Sequence, residues 1–282
     1  MDPFSILLPG LVGAVVVAAV LALTRKRTGW DGLRVALAVS LGFVATRLIV
    51  KRPGAFPPTY GANWLPLLAL VAAAGAWSLT HARAGYWVRG TQTALLSVAG
   101  TYLLLASLAD QSGIWTLTAA YAGGALVLSL ALERLSQRGP RLLLLGGPAV
   151  AAGAAGAIFA LNFSIDIGRT FAGLALIHAA AVALTWTRPA RQIGPVLACV
   201  FGPLFGLTMV VGTQYGYEVP VAVPLLLGLC PLAAFVPELT PLRRRAPWLR
   251  IVIGTVLAIG LGAAAFALAD SGAASDDPYA SY

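Results

Sequence analysis

Residues 4–27 read FSILLPGLVGAVVVAAVLALTRKR (Phe4–Arg27), an uncharged apolar run that closes on three consecutive cations. A membrane-spanning α-helix needs about 20 apolar residues to cross a hydrocarbon core of about 30 Å. The run is continuous and lacks the polar/apolar alternation of a barrel strand, so it reads as a spanning helix whose C-terminal end meets a basic surface. The cations follow the apolar stretch instead of preceding it, and Met1-Asp2-Pro3 carries no positive n-region. A retained first span is therefore expected in place of a cleaved leader.

The same pattern recurs along the chain. Further apolar stretches fall at 31–50, 64–80, 90–109, 113–132, 142–162, 170–187, 192–213, 219–237 and 250–269. Of 282 residues, 59% are hydrophobic and 10% charged, against about 25% charged in a soluble domain. Too few charges are present to coat a globule of this size. The sequence predicts an all-α, polytopic transmembrane helix bundle of about ten spans. Residues 1–270 form one integral membrane domain, and the Ala/Ser/Asp-rich residues 271–282 form a disordered outer tail.

Orientation follows from charge, because short cytoplasmic loops collect Lys and Arg. With the loop after the first span inside, every inner turn is basic, and of the 19 basic residues only Arg47, Lys51, Arg52 and Arg169 fall outside. The expected topology is five hairpins joined on the cytoplasmic side, with both termini outside. Trp30, Trp87, Trp186 and Trp248 then lie near the inner boundary, and Tyr60, Trp64, Trp115, Tyr215 and Tyr217 near the outer one, as interfacial anchors should. The net charge of +9 is thus an orientation signal, and no nucleic-acid partner is implied. Lysine occurs only at Lys26 and Lys51 and alanine is abundant, which suggests the inner (plasma) membrane of a bacterium.

Several features bear on chemistry. His178 lies deep in its apolar segment, too far from either surface for a short imidazole to reach water, so it is either hydrogen-bonded between helices or lines a polar cavity. Arg47 and Lys51 share a helix face, with Arg52 beside them. Together with Arg169 they could hold a phosphate or carboxylate, or contact lipid headgroups and the outer acids. Pro195, Gly202, Pro203 and Gly206 interrupt the eighth span, and Pro220, Pro224, Pro231 and Pro237 the ninth. Adjacent broken helices point to a transporter site or to simple kinks. Candidate substrate contacts are therefore Arg47, Lys51, Arg52, Arg169, His178, Gly202, Pro203, Pro224 and Pro231. Cys199 and Cys230 read as small buried residues at similar depth, near each other and not bonded. Small residues at Gly146, Gly147, Gly153 and Gly156, and at Gly254, Ala258 and Gly262, mark packing seams.

The chain holds no H-E-x-x-H, P-loop or G-x-S-x-G motif and no paired nucleophile and base. No catalytic residue, metal site or cofactor is expected. Three functions fit. The first is a permease or carrier for a small or lipidic solute. The second is a non-catalytic subunit or scaffold bound to a membrane partner subunit. The third is an enzyme acting on a lipid-linked or anionic substrate at the outer face, through Arg47, Lys51, Arg52, Arg169 and Asp166. The bilayer is a partner in each, and an anionic lipid or solute at the outer face is a candidate ligand.

Overall fold

The computed structural model describes residues 3–24, 31–51, 58, 61–81, 86–106, 113–136, 141–185, 190–215 and 219–275. Among these, every regular element is helical: α1 (Pro3–Leu23), α2 (Asp31–Val50), α3 (Leu65–His81), α4 (Tyr86–Leu105), α5 (Ile114–Ser136), α6 (Arg141–Asn162), α7 (Ile165–Leu184), α8 (Ala190–Gln214), α9 (Ala222–Ala233), α10 (Val236–Leu239) and α11 (Pro247–Ser275), with single 3-10 turns at Gly61–Trp64 and Pro241–Arg244. Six helices, α1, α2, α5, α7, α8 and α11, are long and apolar enough to cross a membrane, and shorter apolar helices lie within α3, α6 and α9.

The helix ends show what stops them. At the end of α1 the Thr24 hydroxyl and amide both donate to the Val20 carbonyl. Arg34 of α2 then donates to Thr24 Oγ1 and to the Leu21 carbonyl, each at 2.8 Å. A cation thus satisfies groups that a helix C-terminus leaves open. Between α6 and α7 the amides of Phe163 and Ser164 both reach the Phe159 carbonyl, and Ser164 is extended at φ −145°, ψ 118°. So short a joint folds the two helices back on each other. Gly113, at φ +107°, sits immediately before α5, in a conformation that side chains disfavour.

Three expectations are corrected. α7 begins at Ile165, not 170, because the charged pair Asp166 and Arg169 lies within its first turns. With α7 ending at Leu184, His178 is six residues from its C-terminal end, about 9 Å at 1.5 Å per residue, and not midway. The eighth segment is one continuous helix despite Pro195 and Pro203. The ninth is the one that breaks: α9 ends at Ala233, and α10 starts after Ala234 and Phe235, with Pro237 at its beginning. α11 runs through Ser275, past the start of the expected tail, and 276–282 lie outside the described residues.

α8 is the central helix, contacting α2, α3, α4 and α5 on most of its circumference. The glycines of α6 and α7 let their backbones meet. A Cβ on Gly168 would lie 2.5 Å from the Ala160 nitrogen, and one on Gly156 would lie 2.9 Å from the Ala172 nitrogen. The space beside Gly147 is filled by the Pro231 carbonyl and Ala234 of the α9 segment, and a Cβ on Gly262 of α11 would lie 3.0 Å from the Cβ of Ala154 of α6. The expected seams at these glycines are therefore internal. Gly153 is different, since a Cβ there meets nothing within 4 Å. Gly168→Ala should lower the detergent-solubilised unfolding temperature, by an amount matching the roughly 1–3 kcal/mol cost of overpacking. Gly153→Ala should leave it unchanged or raise it slightly, as read by thermal unfolding of the two variants side by side.

Candidate functional site

A cleft of about 400 Å³ lies between α5, α8 and the α9 segment. Its floor is Ala125, Leu128, Phe205 and Met209, all buried, while Val127, Leu225 and Leu229 at its rim are more than half exposed. The cleft exists because α9 packs mainly on α11 and α6 and touches α5 and α8 only lightly. Glycines widen it: Gly124 and Gly228 both line it, and a Cβ on either meets nothing within 4 Å. Among the described residues, none that lines it is charged.

One end of the cleft is polar. Tyr121 of α5 shares a hydrogen bond with Thr213 of α8. Thr213 Oγ1 donates to the Met209 carbonyl at 2.9 Å, and Gln214 Nε2 donates to the Tyr121 oxygen at 3.2 Å. The Tyr215 hydroxyl donates to the Leu104 carbonyl, which anchors this end of α8 to α4. Sequence reading missed this cluster. Its members stand 92 and 93 positions apart on two helices, and no local spacing joins them.

The nine sequence-predicted residues scatter. Pro224 alone among them lines the cleft. Gly202 abuts Ser129 of α5 at the helix crossing, Pro203 is buried beside it, and Pro231 packs on Gly147. These three belong to packing seams.

His178 is 2% exposed. Its ring lies 5.0 Å from that of Phe201, and Phe201 continues through Phe205, Phe171 and Phe159 in ring contacts of 5.4–5.5 Å. His178 is thus the end of an aromatic column, whose member Phe205 also forms the cleft floor.

Arg47 is 3% exposed. It turns inward from α2 and donates to Thr170 Oγ1 of α7 at 2.8 Å and to the Ala62 carbonyl at 3.4 Å. It clasps α2, α7 and the turn before α3. Arg169 stands next in sequence to Thr170 and lies 3.7 Å from Asp166. Lys51 is exposed at the end of α2, and Arg52 lies outside the described residues. The structure therefore brings Arg47 and the Arg169 segment together, with Arg47 donating to a hydroxyl and a carbonyl inside the bundle.

The cysteines are free and take different partners. Cys199 faces Thr93 of α4, and the Cys230 thiol donates to the Ala258 carbonyl of α11 at 2.9 Å. No group of three metal-ligating side chains occurs among the described residues. Two carboxylates are buried in ion pairs, Glu133 with Arg89 at 2.7 Å and Glu238 with Arg250 at 2.8 Å. The chain matches no protein-family model, and no curated protein matches it.

Arg47→Gln should destabilise the protein by about 2–3 kcal/mol, since hydrogen bonds to a charged group contribute about 1.5–3 kcal/mol. Lys51→Ala should shift stability by less than about 0.5 kcal/mol, as for other exposed positions. Chemical denaturation in mild detergent measures both.

Proposed function

We propose that this is a ten-span bacterial inner-membrane protein, with both termini outside, that carries a lipidic solute through the cleft between α5, α8 and α9. The observation that carries the reading is the cleft itself. It is apolar along its walls, polar at one end and open at an exposed apolar rim, which suits a chain entering sideways from the bilayer. A polar solute finds less support, because His178 lies in a packed aromatic column.

The tertiary contacts support the topology. In a ten-span arrangement, Arg34 to Thr24, Arg89 to Glu133 and Arg250 to Glu238 each join helix ends on the inner side. Arg47 to Thr170, Tyr121 to Thr213 and Tyr215 to Leu104 each join ends on the outer side. Glu133 and Glu238, buried at these inner ends, are each paired with an Arg, as the cost of unpaired charge in a bilayer requires. α9 alone, at 12 residues, rises about 18 Å. The ninth crossing would be completed by the turn and α10.

Two measurements test the reading. Alkaline phosphatase fused at the C-terminus should be active, and the same reporter fused after Arg138 inactive; the reverse pattern would refute the orientation. In proteoliposomes, a fluorescent short-chain lipid should cross between leaflets faster than in protein-free vesicles. Gly124→Trp should cut that excess rate at least fivefold without lowering thermal stability, because the added ring enters open space. A rate equal to that of protein-free vesicles would remove the carrier function.

A further inference from the structure

The polar end of the cleft has a hydrogen-bond direction, and that direction selects a headgroup. The Thr213 hydroxyl spends its single proton on the Met209 carbonyl, so towards Tyr121 it can only accept. Tyr121 must then donate to Thr213, and its own oxygen is left as an acceptor. Gln214 meets that oxygen, which fixes the carboxamide with Nε2 inward. Its other side, Oε1, takes no hydrogen bond among the described residues and is an acceptor.

We propose that Gln214 Oε1 receives the hydroxyl of a neutral lipid alcohol whose hydrocarbon chain fills the cleft. This rests on the reading of the cleft as a lipid site and names the class of lipid. A phosphate or carboxylate head would find no cation among the described lining residues and stay uncompensated by them. An ether or ester head would set oxygen against oxygen at Gln214. A hydroxyl is the head that donates there and brings no charge.

The test uses the full chain in nanodiscs and three probes of equal chain length: 1-hexadecanol, its methyl ether and hexadecanoate. Each competes with a diazirine-bearing hexadecanol that is crosslinked by light, and labelling of the α5 and α9 peptides is read by mass spectrometry. Hexadecanol should compete about three- to tenfold better than the ether, the factor expected for one net hydrogen bond. Hexadecanoate should be the weakest. Gln214→Leu should abolish the alcohol–ether difference while leaving ether competition at its wild-type strength, which also shows the cleft intact. Equal competition by alcohol and ether in the wild type overturns the headgroup assignment and leaves the lipid cleft standing. Strongest competition by hexadecanoate does the same. Labelling that Gly124→Trp fails to reduce overturns the cleft as the lipid site, and the headgroup assignment with it.

Discussion

The close backbone contact of α7 with its neighbours is the constraint on which the remaining arrangement rests. In a bilayer, apolar side chains gain little by leaving lipid for protein, so helices associate where their backbones can approach. α7 does this on two sides. Gly168 and Gly156 join it to α6. Gly173 meets Gly10 of α1, with 2.8 Å from a Cβ built on Gly10 to the Gly173 Cα, and also abuts Thr46 of α2. With α1, α2 and α6 drawn onto α7, Thr170 falls beside Arg47, and Phe171 enters the aromatic column that leads to α8.

The opposite side of the molecule is built differently. α4 buries the polar residues Thr93, Ser97 and Thr101, and α5 buries Thr118, Ser129 and Glu133. Beside it α9 leans away onto α11 and α6. A tightly seamed half and a cleft-bearing half thus meet at α8. Phe205 is the residue common to both, packed on Phe171 in the column and lining the cleft.

Most of the helices were legible in the sequence, because apolar run length is a direct reading of what bilayer thickness demands. α2 was placed at 31–50, its observed limits. Charged residues caused the errors. Asp166 and Arg169 pushed the expected start of α7 about one turn too late in the chain, although the short joint at Ser164 and the contacts of Arg47 and Gly168 hold that turn helical. Proline gave mixed information: α8 continues through Pro203, whereas the Pro231–Pro237 stretch divides its segment, and residue type alone does not distinguish the two. The site was far less legible. Arg47 looked like a surface cation, and only the three-dimensional placement of Thr170 and Ala62 turns it inward. Tyr121, Thr213 and Gln214 are common residues whose meaning lies in the order in which their protons are committed.

The Arg89–Glu133 pair also orders events during synthesis. Arg89 leaves the ribosome before its counter-charge, which follows 44 positions later, a delay of roughly 2–9 s at about 5–20 residues per second. Through that interval Arg89 stands without Glu133. The contact that ties the start of α4 to the end of α5 therefore closes only after both helices have been made, and α4 takes its final place as one of a pair.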